Sequence, residues 1–351
     1  ATEPGWHGLV CDARAPGRIG GSAPIAVIDI GSNSVRLVVY ERLTRSPTVI
    51  FNEKVLAGLG KGLSKTNALA EGPLRSALAA VKRFKHIADQ CGAATLHVLA
   101  TAAAREAKNG PAFVAELERI CGTPVSVLTG ADEARLAAYG IVAGVHDADG
   151  VAGDLGGGSL ELVDIKGETF GDGLTYPLGG IRLSEAAEGS IRKAERIAQQ
   201  VLDTSPVLAG LAGRTFYAVG GTWRSLAKLH MHQTDYPLRV MHNYAMSADA
   251  ALDLCRLVGR GAVETLPKIE TVSKQRRDLL PFGAVVLAQL IKAGKPKDVV
   301  LSALGLREGH LYDLLPESER RRDPLLAAAE ELAFLRSRSP GGLCVSNGGK
   351  S

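Results

Sequence analysis

Residues 25–40 read IAVIDIGSNSVRLVVY, and residues 151–165 read VAGDLGGGSLELVDI. Each stretch is an apolar segment, a tip of small residues and a second apolar segment, which predicts a β-hairpin. The equivalent positions of the two hairpins are Asp29 and Asp154, Gly31 and Gly156, Ser34 and Ser159, and Arg36 and Glu161. An Asp-x-Gly-x-x-Ser order that occurs twice in the same context indicates an internal repeat. We therefore expect two similar domains, one for each hairpin.

Strand and helix patterns alternate along the rest of the chain. Helices are predicted at 73–90, 110–120, 132–144, 183–202, from 222, from 247, in a long stretch to 293, at 307–315 and at 324–335. Strands are predicted at 96–100, 125–128, 216–219 and 299–302. This alternation indicates an α/β protein with mixed sheets flanked by helices.

The composition bounds the domain organisation. The 351 residues are about two domains' worth, and the 46% hydrophobic content can supply two cores. We predict a flexible N-terminal tail at 1–24, a first domain at 25–145 and a second at 146–315. Residues 316–351 are predicted to form a linker, a short helix and a flexible tail.

Charge and cysteine usage exclude several classes of protein. A net charge of only +4 argues against a basic nucleic-acid-binding surface. Five dispersed cysteines without C-x-x-C spacing argue against a disulfide framework and a zinc site, and favour a reducing cytoplasm. No apolar run reaches the ~18 residues of a membrane span, and the first 24 residues do not resemble a signal peptide. We therefore expect a soluble protein that binds neither nucleic acid nor membrane.

The small-residue tips are candidate phosphate sites, because backbone N–H groups can converge there without obstruction by side chains. The candidate residues are Gly31, Ser32, Asn33 and Ser34 in the first tip, and Gly156, Gly157, Gly158 and Ser159 in the second. A third turn, Gly220-Gly221, follows a predicted strand and precedes a helix, which also favours an anion. The alternative for any one tip is a tight turn without function, but the repetition favours phosphate.

Asp29 and Asp154 end the first strand of each hairpin and would lie beside phosphate oxygens. A carboxylate in that position is repelled unless a divalent cation lies between the charges. Mg²⁺ prefers oxygen ligands and fits this role. Asp29 and Asp154 are therefore the candidate metal ligands.

Several segments together resemble the exopolyphosphatase and guanosine pentaphosphate phosphohydrolase family, in the superfamily of actin, sugar kinases and heat-shock chaperones. The matching segments are DIGSNS at 29–34, TAAAREAKN at 101–109, TGADEAR at 129–135, DLGGGSLE at 154–161, LGGIRL at 178–183, VGGT at 219–222 and GLREG at 305–309. The resemblance covers about residues 25–315. It implies two actin-like, ribonuclease H-like domains with the active site in the cleft between them.

The resemblance also implies hydrolysis of a terminal phosphoanhydride and assigns candidate catalytic residues. Glu133 is expected to orient and deprotonate the attacking water, and Glu161 to hold the same water or a metal-bound one. The planar guanidinium of Arg105 suits two phosphate oxygens. Without the resemblance, Glu133 would be a helix N-terminal carboxylate and Arg105 a solvated side chain. Asp132 stands where many relatives carry Glu.

Three functions remain open at this point. The first is an exopolyphosphatase that removes orthophosphate from inorganic polyphosphate, with guanosine pentaphosphate (pppGpp) as the alternative substrate. The second is a small-molecule kinase, and the third a nucleotide-gated structural or chaperone protein. The low aromatic content, 5%, favours polyphosphate over a guanine nucleotide. The resemblance further implies a bacterial, cytoplasmic protein connected with the stringent response, and a possible homodimer.

We expect the histidines to have structural or surface roles, and one basic run to lie on the surface. His242 and the other histidines show no metal-ligand spacing. The Lys-Gln-Arg-Arg run at 274–277 is typical of a solvated face, with contact to a long polyphosphate as the alternative.

Overall fold

The computed structural model describes residues 23–260 and 263–336. The predicted flexible tails lie outside the described residues, apart from residues 23 and 24. Cys11 and Cys344 lie outside them too. Among the described cysteines, Cys121 and Cys255 are buried free thiols.

The strands, in chain order, are β1 (Ile25–Ile30), β2 (Val35–Tyr40), β3 (Val49–Val55), β4 (Thr95–Ala100), β5 (Val125–Val127), β6 (Asp149–Leu155), β7 (Leu160–Lys166), β8 (Thr169–Phe170), β9 (Leu174–Tyr176), β10 (Thr215–Val219), β11 (Tyr244–Ser247) and β12 (Asp298–Leu301).

The helices are α1 (Leu63–Thr66), α2 (Glu71–Gln90), α3 (Ala102–Glu106), α4 (Gly110–Cys121), α5 (Gly130–Gly144), α6 (Gly180–Ala186), α7 (Ile191–Leu202), α8 (Pro206–Ala209), α9 (Gly221–Gln233), α10 (Ala248–Arg260), α11 (Lys274–Arg277), α12 (Leu280–Gly294), α13 (Leu306–Asp313), α14 (Glu317–Arg320) and α15 (Pro324–Arg336). Short 3₁₀ helices occur at Val263–Thr265 and Ile269–Thr271.

Two sheets with the same plan confirm the predicted α/β class and the repeat. The first sheet has the order β3-β2-β1-β4-β5, and the second contains β11-β12-β10-β6-β7-β8, with β9 also on β7. In each sheet the hairpin strands are antiparallel, and the first hairpin strand is parallel to the next strand inward, β4 or β10. The β1-β2 pair therefore corresponds to β6-β7.

The hairpins match in their details as well. Asp29 pairs with Arg36 across the first hairpin, and their equivalents Asp154 and Glu161 pair across the second. The N–H of Gly31 donates to the Ser34 carbonyl at 2.9 Å, and the N–H of Gly156 donates to the Ser159 carbonyl at 3.0 Å. The two tips therefore have the same turn.

The sheets have separate cores, and two helices, α5 and α13, pack against both sheets. β1, β2 and β4 pack against α2 and α4, whereas β6, β7 and β10 pack on one side against α7, α9 and α12. α5 follows the first sheet in sequence but packs against β6 and β7, and it contacts α13. In the described part of the chain, no helix is both long enough and apolar enough to cross a bilayer.

The predicted helix at 183–202 is wrong, because two helices occupy this region. Glu188 and Gly189 have φ values of 52° and 77°, which a helix cannot include. The Ser190 side chain then caps α7 by accepting from the N–H of Lys193.

Other elements were not predicted from sequence. Strands β3, β8, β9 and β11 lack a long apolar run, and three of them have only four residues or fewer. The stretch before residue 293 is divided among 3₁₀ turns, α11 and α12, and the linker at 316–323 contains α14. The helix predicted at 324–335 is confirmed as α15.

Candidate active site

A cleft with a cavity volume of about 160 Å³ lies between the two sheets, at the hairpin tips, and is open to solvent. It is lined by all of the predicted phosphate-binding residues: Gly31, Ser32, Asn33, Ser34, Gly156, Gly157, Gly158, Ser159, Gly220 and Gly221. Four predicted carboxylates also line it: Asp29, Asp154, Glu133 and Glu161. The structure thus brings together residues from segments more than 100 positions apart.

The two glycine tips meet across this cleft. A Cβ atom on Gly157 would lie 3.1 Å from Ser32 Cβ and 3.2 Å from the backbone nitrogen of Asn33. These separations are shorter than ordinary Cβ contacts, so a side chain at position 157 would require the first tip to shift by a few tenths of an ångström. Glycine at position 157 therefore allows the tips to approach each other.

The third turn has a backbone that requires glycine. Gly220 has a φ of 116°, and a Cβ atom there would lie 2.5 Å from the Leu155 carbonyl oxygen. Gly221 begins α9, so the free N–H groups of that helix start at the cleft.

Glu133 lies in the first turn of α5, where a capping box orients the helix. Thr129 Oγ1 accepts from the N–H of Asp132, and the Asp132 carboxylate accepts from the N–H of Thr129, both at 3.1 Å. Asp132 is therefore occupied by the cap, whereas the next residue, Glu133, faces the cleft and is only 7% exposed.

Arg105 contacts Glu133 from outside the cleft. Its Nη1 donates to Glu133 Oε1 at 2.5 Å and also to the Leu128 carbonyl. Arg105 is not among the described residues that line the cleft, so its predicted contact with phosphate stays a prediction. Burial raises the pKa of Glu133 to about 7, although the Arg105 guanidinium opposes the shift.

Glu161 and Asp154 are carboxylates with too little compensating charge. Burial, reinforced by the neighbouring Glu133 carboxylate, raises the pKa of Glu161 well above its usual range. Burial also raises the pKa of Asp154, to about 6. Glu161 Oε1 is buried and has no hydrogen-bond partner among the described residues. Such groups favour an additional proton or a cation.

Asp29 has a partner within the protein. Arg307, from the GLREG segment, donates through Nη1 to Asp29 Oδ2 at 2.6 Å. Arg307 is itself buried and lines the cleft. The metal role predicted for Asp29 stays a prediction, since at least one of its oxygens is held by a protein cation.

The sequence of this chain matches a known protein family. A profile of the Ppx/GppA phosphatase family matches residues 24–318. The chain belongs to this family. Retrograde regulation protein 2 of Saccharomyces cerevisiae is 28% identical over an alignment 349 residues long. The match covers 88% of this chain and 58% of the yeast protein. The chain therefore spans little more than half the length of this curated relative.

Two solved structures support the same fold. An exopolyphosphatase-like protein is 26% identical with a TM-score of 0.74, and the match covers 87% of this chain and 99% of that one. An exopolyphosphatase from Cytophaga hutchinsonii is 22% identical with a TM-score of 0.73, covering 83% and 97%. The predicted actin-like architecture of two mixed sheets with a cleft between them is thereby confirmed.

Most of the basic side chains that line this cleft were not predicted from the sequence of this Ppx/GppA family member. The basic residues lining it are Arg36, Lys54, Arg224, Arg276 and Arg307. Burial, together with the nearby Arg276 and Arg224 guanidinium groups, lowers the pKa of Lys54 to about 7. Burial, reinforced by Arg307, lowers the pKa of Arg224 to about 10. Among the described residues, Arg307 pairs with Asp29, but Lys54, Arg224 and Arg276 form no ion pair with a carboxylate, so these three cations form a candidate anion site.

The solvated face predicted for residues 274–277 is wrong for two of them. Arg276 lines the cleft and donates to the Gly221 carbonyl at 3.1 Å. Arg277 is buried and pairs with Glu264. The structural role predicted for His242 agrees with its contacts to the Gly144 carbonyl and to the N–H of Ala303.

The donor set fits Mg²⁺ better than zinc. Among residues 23–260 and 263–336, no three His, Cys, Asp or Glu side chains are grouped so that they could hold a metal ion. Zinc requires three or four protein ligands, whereas Mg²⁺ is commonly held by one or two carboxylates, waters and substrate phosphates. The Mg²⁺ arrangement suits Asp154, whose charge the protein balances only in part. It also suits Glu161, whose Oε1 has no hydrogen-bond partner among the described residues.

Proposed function

We propose that this chain is an exopolyphosphatase, which hydrolyses the terminal phosphoanhydride of inorganic polyphosphate and releases orthophosphate. One observation carries the proposal: a buried glutamate with a pKa near neutrality faces two glycine tips of identical turn. Membership in the Ppx/GppA phosphatase family and the 26% identity to an exopolyphosphatase-like protein support it.

Glu133 acts as the general base in this proposal. A base is most effective when its pKa lies near the working pH, and burial brings Glu133 to about 7. Arg105 holds one carboxylate oxygen, which leaves the other to accept the proton of the attacking water. Arg105 thus orients the base, and Glu161, which lines the same cleft, helps to position the same water in this proposal.

The glycine tips hold the reacting end of the polyphosphate substrate. Backbone N–H groups of the tips bind phosphate oxygens, apart from those of Gly31 and Gly156, which donate to the Ser34 and Ser159 carbonyls within the turns. The N–H groups are oriented before the reaction begins and stabilise the charge that moves toward the leaving oxygen. The turn at Gly220 and Gly221 offers a third set of N–H groups. Arg36, Lys54 and Arg276 then compensate the charge of the following phosphates.

Mg²⁺ is the proposed cofactor, with Asp154 as its first protein ligand and Glu161 or Asp29 as the second. When bound, it would neutralise phosphate charge beside these carboxylates. The cation also explains why two carboxylates occupy one buried site, where burial raises the pKa of both Asp154 and Glu161 and the Asp154 carboxylate adds to the shift of Glu161.

Polyphosphate suits the cleft better than pppGpp. None of the described residues lining the cleft is aromatic, so a guanine base has no ring on which to stack. The lining offers repeated cationic and N–H groups instead, which match a repeated phosphate.

Side-by-side kinetics test the substrate and the reaction class. We expect the purified chain with Mg²⁺ to show a higher kcat/KM for polyphosphate than for pppGpp, and no phosphoryl transfer from ATP to a panel of sugars. A tenfold preference for pppGpp would reverse the substrate, and transfer to a sugar hydroxyl would establish a kinase.

The remaining predictions concern the setting of the protein. The domain limits rest on the hairpin repeat and the composition, and the cytoplasmic location on the cysteine usage. The homodimer and a connection with the stringent response follow from the family resemblance, and all four stay proposals. The yeast relative shows that similar chains occur outside bacteria, so a bacterial origin also stays a prediction.

A further inference from the structure

The LGGIRL segment contains the start of α6, which is fixed to the second glycine tip. The N–H of Gly180 donates to the Gly156 carbonyl at 3.1 Å, and the N–H of Ile181 donates to the Gly157 carbonyl at 3.0 Å. A Cβ atom on Gly179 would lie 2.3 Å from the carbonyl carbon of Gly158. No side chain fits there, so α6 and the second tip form one unit.

The other end of α6 reaches the first half of the chain. The Glu185 carboxylate accepts through Oε1 from the N–H of Gly62 at 2.7 Å, and through Oε2 from the hydroxyl of Ser64. Hydrogen bonds to an ionised carboxylate are stronger than those between neutral groups. Both oxygens of Glu185 are thus used to hold the start of α1 and the segment that leads into it.

That segment is in turn fixed to the first glycine tip. The N–H of Gly60 donates to the Ser32 carbonyl at 2.7 Å, and the N–H of Gly58 donates to the Asn33 carbonyl at 3.0 Å. A Cβ atom on Gly60 would lie 2.9 Å from Ser32 Cβ. The segment at 58–62 therefore follows any movement of the first tip.

We propose that Glu185 is a positioning residue that sets the spacing between the two phosphate-binding tips. A continuous path of hydrogen bonds joins them, from the first tip through 58–62 and Glu185 to α6 and the second tip. This inference rests on the proposed function of the tips. Glu185 should therefore affect the affinity for a ligand whose linked phosphates bind both tips, but not the affinity for a single phosphate that binds one tip.

A second contact on the same helix supports this arrangement. Arg182 Nη1 pairs with Glu106 Oε2 at 2.9 Å, again across the two halves of the chain. Glu106 ends α3, which also carries Arg105. α6 therefore makes one ion pair and two charge-assisted hydrogen bonds to the first half of the chain, and the hydrogen bonds of Glu185 lead to the first tip.

Calorimetric titration of tripolyphosphate and of orthophosphate tests the proposal. The titrations use Glu133→Gln chains so that tripolyphosphate is not consumed. We expect Glu185→Ala to weaken tripolyphosphate binding about tenfold, the usual effect of losing a hydrogen bond to a charged group, and to change orthophosphate binding less than about twofold. Glu185→Gln can still accept from Gly62 and donate to Ser64, so this variant should keep most of the tripolyphosphate affinity that Glu185→Ala loses.

Matched variants separate this role from general stability. Glu195→Ala removes an exposed glutamate from the neighbouring α7 and should leave both affinities unchanged. If Glu185→Ala does not fold, Ser64→Ala removes one of the two contacts and should give a smaller loss with the same selectivity for tripolyphosphate.

Equal losses for both ligands, or no loss for either, would overturn the positioning role. Absence of tripolyphosphate binding by the parent chain would overturn it as well. If the parent chain binds tripolyphosphate but the wild type releases no orthophosphate from polyphosphate, the proposed function fails while the binding test still decides the role of Glu185.

Discussion

Replacing Glu133 with glutamine removes the proposed base and preserves the shape of the site. The glutamine carbonyl can still accept from Arg105, which donates to Glu133 Oε1 at 2.5 Å in the wild type. Loss of a general base costs about 10² to 10⁴ in rate, or about 3 to 5 kcal/mol of activation free energy. We therefore expect kcat to fall by at least about a hundredfold, whereas KM changes by less than about threefold.

The assay is orthophosphate release from polyphosphate under saturating conditions, with Asp132→Asn as the matched control. Asp132 is the adjacent carboxylate on the same helix, but it accepts from the N–H of Thr129 and does not line the cleft. Asp132→Asn should lower the free energy of unfolding by about 1 kcal/mol or less, because asparagine caps imperfectly at this position. Its turnover should stay within a few fold of wild type.

The opposite pattern would refute the assignment. If Asp132→Asn abolishes turnover while Glu133→Gln keeps it, the working carboxylate has been misidentified. If Glu133→Gln raises KM and leaves kcat unchanged, Glu133 binds substrate instead of accepting a proton.

Three further predictions concern the tips, the pH profile and the cation. Gly157→Val should raise KM about tenfold or more, because its Cβ atom would lie 3.1 Å from Ser32 Cβ and force the tips apart; wild-type kinetics in a folded variant would contradict this. Because burial raises the pKa of Glu133 to about 7 and the ionised form is the base, kcat/KM should fall as the pH drops below about 7, and a profile flat from pH 5 to 8 would exclude this base. EDTA should stop orthophosphate release and Mg²⁺ should restore it, since Asp154 and Glu161 need a cation beside phosphate; full activity after chelation would remove the metal from the mechanism.

The repeated hairpins could be predicted from the sequence because their chemistry is local. The alternation of apolar residues specifies the strands, and the small residues specify the tip. The pairing of Asp29 with Arg36 and of Asp154 with Glu161 then follows from a four-residue turn. Both sheets are built on these hairpins, so the architecture follows as well.

The basic residues of the cleft could not be predicted in the same way. Lys54 comes from a half-exposed strand and Arg276 from a four-residue helix in a charged run. Locally each resembles a solvated side chain, and only the tertiary fold brings them to the tips. The break between α6 and α7 was missed for a similar reason: Glu188 adopts a left-handed conformation that its residue type does not indicate.

Hydrolysis of polyphosphate in water enriched with ¹⁸O tests the central claim most directly. If water attacks the terminal phosphorus held between the two glycine tips, each released orthophosphate carries one oxygen from the solvent, and the polyphosphate shortens from its end. Solvent oxygen in the shortened chain would place the attack at the penultimate phosphorus. Cleavage within the chain, or release without solvent oxygen, would contradict the account.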